Sequence, residues 1–329
     1  MKRMIILVAL CVLLIAAFVQ PAAAPTGNLM EQAQALLDAG DYQAAVPLLK
    51  KAAESGDAEA QNRLGNCFMA GTGVEKNAEE AAKYYRMAAD QGLAKSQYNL
   101  ANCYLYGMGM EEDVNAAVAY FQLAAEQGLS YAQNELGYLY QVGSGVEQDE
   151  KTAAEYYRLA AEQGLAMAQS SLGDCYLNGV GVEQNAEEAV KYYLLAAGQG
   201  DADAQNSLGN CYFDGTGVEQ NVEEGLNYFR LAAEQGNADG IYNLGFCYYY
   251  GEGVEPDYEK ALEYFQTAAE MDHPCAYFLI GESFYEGKGA EKDLEKATEW
   301  YRKALAAGYE PDEADQAHLI EVLGAGYGQ

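Results

Sequence analysis

Basic residues are scarce in this chain: 329 residues carry 19 Lys and Arg against 50 Asp and Glu, a formal charge of −31. A nucleic-acid binder needs clustered cations to displace counterions from phosphates, so that partner class is excluded, and the same field disfavours anionic lipid surfaces. Histidine is reduced to His273 and His318, and tryptophan to Trp300. That leaves little for imidazole catalysis or a His-rich metal site. Ser-x-x-Lys, Gly-x-Ser-x-Gly and His-Glu-x-x-His are all missing, so no nucleophile or zinc motif marks an active site. Proline is rare, at 6 residues, while 35 Gly and 28 Tyr stand in excess. No cofactor is implied.

Lys2 and Arg3 precede an uncharged apolar run over residues 4–19, and Ala22 and Ala24 supply the small residues of a cleavage site. This is the order of a secretory signal peptide over residues 1–24. Pro25 would follow the cut, where proline hinders cleavage, so an uncleaved N-terminal anchor is the alternative. The run is short for a hydrocarbon core of ~30 Å, which favours the signal. Either reading exports the remainder of the chain, as a periplasmic or secreted protein or one tethered outside the cytoplasm.

What is present is a repeat. Gly65, Gly137, Gly173, Gly209, Gly245 and Gly281 fall on a 36-residue grid whose missing step is filled by Ala101. Seven copies of one text cover residues 59–309 without insertion or deletion, as expected where each unit contacts only its neighbours. Apolar periodicity divides a copy into two helices: Ala168, Leu172, Cys175 and Tyr176 share one face of the first, and Ala189, Tyr192, Tyr193, Ala196 and Ala197 lie at helical spacing in the second. A Gly-x-Gly-Val loop separates them, with Val182 expected to tuck under it. Asn185 is placed to cap the second helix with Glu188 completing a capping box, and the same Asn or Asp returns at Asn77, Asp113, Asp149, Asn221, Asp257 and Asp293. Gly200 suits a left-handed stop.

The pattern A-x-x-x-L-G-x-x-[YF]-x-x-G-x-G-V-x-x-[DN]-x-x-x-A-x-x-[YF]-[YF]-x-x-A-A-x-x-G resembles the Sel1-like repeat, a longer-looped relative of the tetratricopeptide repeat. The resemblance implies an all-α, right-handed superhelical solenoid of helix pairs. Departures are local: Met110 and Ala290 replace the loop Val, and Asp272-His273-Pro274 is expected to disrupt the end of the sixth copy. Residues 25–58, with the tight turn Ala39-Gly40-Asp41-Tyr42, read as a tetratricopeptide-like N-terminal cap. Residues 310–324 read as a C-terminal capping helix started by Pro311 and Asp312, with Ala317, Leu319, Ile320, Val322 and Leu323 on its buried side. Residues 325–329 read as a disordered tail.

Cys67, Cys103, Cys175, Cys211 and Cys247 occupy one position of the repeat. Equivalent sites in stacked helices lie roughly 8–10 Å apart, beyond the ~7 Å Cα limit of a disulfide. They are therefore expected to be small buried apolar residues, with Cys275 a lone thiol. The acids after the loop Val and in first helical turns are expected to be solvated and to favour the helix dipole.

Some secreted relatives of this kind have been described as β-lactamases, which makes a secreted hydrolase one alternative and a membrane-tethered regulatory adaptor another. The main expectation is a non-catalytic, exported scaffold, monomeric, that binds a peptide or protein partner with basic segments and makes no contact with nucleic acid. Membrane contact is expected only if the N-terminal segment stays uncleaved. By analogy with tetratricopeptide stacks, residues two before the repeat Leu and one after the grid Gly face the concave groove. Asn66, Asn102, Tyr138, Asp174 and Asn210 would form a polar ladder for an extended backbone. Tyr242, Phe246, Tyr249, Tyr250 and Phe278 would form its aromatic end, the usual make-up of a hot spot.

Overall fold

The computed structural model describes residues 27–324, so the leader read over residues 1–24 and the tail over residues 325–329 lie outside the described residues. The chain divides into two compact units, Met1–Gln148 and Asp149–Gln329. The described part of the first holds α1 (Gly27–Asp38), α2 (Tyr42–Glu54), α3 (Ala58–Ala70), α4 (Ala78–Ala89), α5 (Ala94–Leu105), α6 (Val114–Glu126) and α7 (Ser130–Val142). The second holds α8 (Glu150–Glu162), α9 (Ala166–Asn178), α10 (Ala186–Ala197), α11 (Ala202–Asp214), α12 (Val222–Glu234), α13 (Ala238–Tyr250), α14 (Tyr258–Ala269), α15 (Pro274–Glu286), α16 (Leu294–Ala306) and α17 (Glu313–Leu323). Among the described residues there is no strand. Within each unit every helix packs on its neighbours in sequence, which makes each a repeat solenoid. No described helix is long and apolar enough to cross a membrane.

Local chemistry sets the helix boundaries. All seven Asn and Asp residues expected as caps accept backbone N–H groups of the first turn; Asn185 Oδ1, for example, accepts from Glu188 N at 3.1 Å. The reciprocal half of the capping box is absent there, because the Glu188 carboxylate pairs with Lys191 at 2.5 Å on the surface. The first loop glycine ends the first helix in a left-handed conformation, as Gly179 does at φ +71. The grid glycine serves a different need. A Cβ on Gly173 would lie 2.6 Å from the Tyr193 ring, and one on Gly209 2.4 Å from the Phe229 ring. The missing side chain is what lets the second helix lay its aromatic residue flat against the first.

The 272–274 departure disrupts nothing. Asp272 takes φ +59 where the other copies have a left-handed glycine, a region that Asp enters more readily than most residues. His273 then caps α15 through Nδ1, which accepts the Ala276 N–H at 3.2 Å. The C-terminal helix differs more from expectation. It packs only lightly on α16. Leu319 is fully buried and Val322 and Leu323 are partly covered, but Ala317 is exposed and Ile320 is 46% exposed.

Buried glutamines join successive pairs, a feature absent from the sequence reading. Gln61 Nε2 donates to Ala53 O at 3.1 Å while its Oε1 accepts from Gln91 Nε2 at 2.8 Å. Gln169 repeats this with Ala161 O and Gln199, at 3.2 and 2.8 Å. Each amide adds a side-chain donor to a helix-terminal carbonyl that also accepts a turn N–H, from Gly56 at Ala53 O and from Gly164 at Ala161 O, and so ties one helix end to the next helix. In the sixth copy Ile241 stands in the glutamine place and is buried.

The five repeated cysteines are buried and free, as expected, and Cys275 is partly exposed. Burial pushes the Cys103, Cys175 and Cys211 thiols up to about 11 and Cys247 to about 12. The nucleophilic thiolate is therefore a very minor species at neutral pH. In the native protein, alkylation followed by peptide mapping should modify Cys275 at least about a hundredfold faster than these five, which become reactive only as their helices open. Equal rates at Cys211 and Cys275 would contradict the burial.

Candidate partner-binding face

The first helices of the repeats carry the proposed groove residues in two rows, and the structure treats the rows differently. The row two before the repeat Leu is largely interior: Asn62, Asn134, Ser170, Asn206 and Phe278 are all buried. The row after the grid Gly is more open, with Asn66, Tyr138, Asp174 and Asn210 exposed and Asn102 and Phe246 half-buried.

Much of the polar ladder is already occupied by the protein itself. Tyr85 Oη donates to Asn66 Oδ1 at 2.8 Å, Tyr193 Oη to Asp174 Oδ1 at 2.6 Å, and Tyr301 Oη to Glu282 Oε1 at 2.5 Å. The residue after the grid Gly thus accepts the hydroxyl of the aromatic ring that packs on that same glycine. Asn99 Nδ2 adds a bond between copies to Asn62 Oδ1 at 2.9 Å, and Asn243 does the same to Asn206 at 2.9 Å and Asn210 at 3.3 Å. Asn102 Nδ2 donates to its own helix at Tyr98 O. These amides stitch the stack, which corrects the expectation of a ladder held open for a partner's backbone.

Asp174 illustrates the electrostatics of the face. Crowding by the groove walls raises its carboxyl, opposed by the Tyr193 hydrogen bond, although the side chain still reaches solvent.

The aromatic end divides as well. Tyr249 is 4% exposed and Phe278 6%, so neither is available to a partner. Tyr249 Oη donates to Glu286 Oε2 at 2.7 Å, and Phe278 stacks on Tyr309 at 4.6 Å between ring centres. Tyr242, Phe246 and Tyr250 remain, one turn apart on α13. Their rings touch in sequence, at 6.4 Å and then 4.5 Å between centres. Tyr250 is 52% exposed. Beside this stripe, between α11 and α13, lies an open cavity of about 470 Å³ lined by Asn210, Asp214, Tyr242, Asn243, Phe246 and Glu252, among others. Asp214, Asn243 and Glu252 were not singled out in the sequence. The signal for Glu252 was present: the middle residue of the Gly-x-Gly loop is uncharged in five copies and becomes Glu252 and Lys288 in the last two.

The helix-pair stack, with its capped second helices and ring-on-glycine contacts, is matched by the profile of the Sel1 repeat over residues 36–57, 58–93, 94–129, 130–165, 166–201, 202–237, 238–273 and 276–309. The chain belongs to the Sel1 repeat family. The first match falls within the segment read above as a tetratricopeptide-like cap, so a partial Sel1 repeat opens the array. A Sel1 repeat protein from Oxalobacter formigenes is 34% identical, with 73% of this chain and 96% of that one covered and a TM-score of 0.69. The protein c5321, a protective antigen present in uropathogenic Escherichia coli strains, is 31% identical over 90% of this chain and 72% of its own, with a TM-score of 0.66. No curated protein matches. Sel1 repeat proteins generally mediate protein–protein interactions and are generally non-catalytic scaffolds.

The histidines of this Sel1 repeat chain are both engaged. Helix capping uses His273 Nδ1 as acceptor, which puts the proton on Nε2, facing Asp239 Oδ1 at 3.0 Å. The sequence had offered His273 no orienting acid; stacking supplies one from the preceding copy. Its hydrogen bond holds the Asp239 carboxyl below the usual range. His318 Nε2 lies 3.0 Å from both Glu282 Oε1 and Tyr301 Oη. Both nitrogens of His273 are thus engaged, and Nε2 of His318 is held between Glu282 and Tyr301. Among the described residues no group of His, Cys, Asp and Glu is arranged to hold a metal ion.

Proposed function

We propose that this Sel1 repeat protein is an exported, monomeric scaffold without catalysis of its own, binding a peptide or protein partner along the face of its first helices. The observation that carries the reading is the open cavity where the half-buried rings of Tyr242 and Phe246 adjoin the carboxylates Asp214 and Glu252, with the exposed Tyr250 ring against Phe246. Rings supply anchoring area and carboxylates orient a basic segment, the combination that concentrates binding energy. The formal charge of −31 favours the same class of partner. Export rests on the basic, apolar and small-residue order of residues 1–24. The hydrolase reading is the less favoured one: His273 uses both ring nitrogens in structural hydrogen bonds, His318 Nε2 is held by Glu282 and Tyr301, and burial raises the Cys275 thiol.

The test is crosslinking in the native compartment, comparing wild type with Phe246→Ala/Tyr250→Ala. Tyr249 is spared because it belongs to the core. Loss of a specific crosslinked partner is expected, and the purified complex should weaken as salt rises. A full set of partners in the double variant would refute the site, and binding indifferent to salt would refute the basic partner.

A further inference from the structure

Glu135 is a carboxylate in an unusual place. It sits at the repeat position of Asn99 and Asn243, whose amides donate to side chains 37 and 33 residues earlier. At Glu135 those earlier residues are Tyr98 and Asn102, and a carboxylate brings no proton to donate. No hydrogen bond or ion pair engages it among the described residues, it is only partly exposed, and burial raises its carboxyl with no cation opposing. An unpaired, partly desolvated charge costs stability unless something outside the chain compensates it.

Tyrosines surround it. Along α7, Tyr131, Glu135 and Tyr138 share one face, with the two rings 50% and 53% exposed. From α5, Tyr98 brings its ring to 6.1 Å from that of Tyr131, and Tyr106 at the helix end is 64% exposed. The Glu135 charge is felt at both Tyr98 and Tyr106, and Tyr106 also feels Tyr138. One carboxylate and four aromatic rings therefore converge on one patch of the first unit.

We infer that this patch is a receptor for an arginine side chain on a basic peptide segment, an inference that rests on the scaffold reading and adds a second anchoring point to it. A guanidinium satisfies both features at once. It pairs with a carboxylate through two parallel N–H donors, and its weakly hydrated plane stacks on aromatic faces. A lysine ammonium meets the ring faces through its charge alone and keeps a tighter hydration shell. Electrostatic complementarity acts in the same direction, since the chain carries −31.

The experiment follows the tyrosine ring resonances of the full chain by carbon-13 NMR during titration with end-blocked Gly-Gly-Arg-Gly-Gly. The citrulline and lysine pentapeptides provide the comparison. The arginine peptide is expected to shift Tyr98, Tyr106, Tyr131 and Tyr138 saturably. Affinity should be at least about tenfold weaker with citrulline and in Glu135→Gln, which keeps the side-chain shape while removing the charge. Tyr106→Ala, at an exposed helix end, should weaken binding without lowering the thermal midpoint. Absence of a saturable shift, an equal response to citrulline, or undiminished affinity in Glu135→Gln would overturn the site. An equal response to lysine would overturn the guanidinium assignment. Because the readout is local to these rings, it fails or succeeds independently of whether Phe246→Ala/Tyr250→Ala loses its crosslinked partner.

Discussion

Gly181→Ala is expected to destabilise the second unit by about 2–5 kcal/mol, combining a left-handed backbone with a clash that cannot relax. Gly181 sits at φ +69, and a Cβ there would lie 2.0 Å from Glu150 O and 2.5 Å from Glu150 C, both main-chain atoms at the start of α8. A side chain could rotate away; the first turn of a helix cannot. Two glycines of the same unit provide a graded comparison. At Gly253, φ +70, the Cβ would meet the side-chain atoms Val222 Cγ1 at 2.5 Å and Leu226 Cδ1 at 2.7 Å, while at Gly164, φ +86, nothing lies within 4 Å. The expected order of destabilisation is Gly181→Ala, then Gly253→Ala, then Gly164→Ala, the last costing only the conformational penalty of about 1–2 kcal/mol. Urea midpoints give the order, and hydrogen exchange in α8 and α9 localises the damage, which matters because repeat arrays depart from two-state unfolding. Equal losses at Gly181 and Gly164 would show that the loop does not press on α8.

Tyr193→Ala should cost about 3–5 kcal/mol, the range for deleting a buried aromatic ring. The ring is fully buried and lies over Gly173, where no side chain is available to refill the space. Tyr193→Phe separates the ring from its hydroxyl. Phe229 packs on Gly209 in the next copy without a hydroxyl, and there the residue after the glycine is Asn210, a neutral amide. Losing the Tyr193 hydroxyl leaves Asp174 without its donor, so Tyr193→Phe should cost about 1 kcal/mol. Adding Asp174→Asn recreates the Phe229 and Asn210 pairing and should recover most of that loss. The pH dependence has a definite sign. Asp174 is raised in the folded state, so its contribution favours folding below the unfolded carboxylate range and is lost as pH rises through the folded value. Asp174→Asn should therefore help more at neutral pH than at pH about 3, where unfolded Asp is itself largely protonated. A double variant no more stable than Tyr193→Phe alone would show that the two residues are not coupled.

The groove shows where sequence reading stops. Asn66 and Asn210 share a type, a repeat position and an exposed face, yet Asn66 accepts from Tyr85 while the corresponding ring over Asn210 is Phe229, with no hydroxyl to offer. The residues paired in this way are 19 apart and on different helices. Tyr249 and Tyr250 are adjacent and identical in chemistry, yet one is 4% and the other 52% exposed. Glu135 drew no notice in the sequence because a lone acid in an acidic chain is unremarkable; Tyr98, contributed by the preceding copy, is what sets it apart.

The period, the helix-pair fold, the caps at Asn77 through Asp293 and the buried cysteines were all determined by the sequence alone. Each follows from spacing within a helix or from the chemistry of its end, interactions that span a few residues and recur with the repeat. Only the tertiary structure decided which tyrosines became core, that the amide ladder holds the stack together, and that Glu135 faces rings instead of a donor. Those outcomes depend on side chains roughly one repeat away, and stacking determines which of them meet by excluding water from some faces and leaving others open.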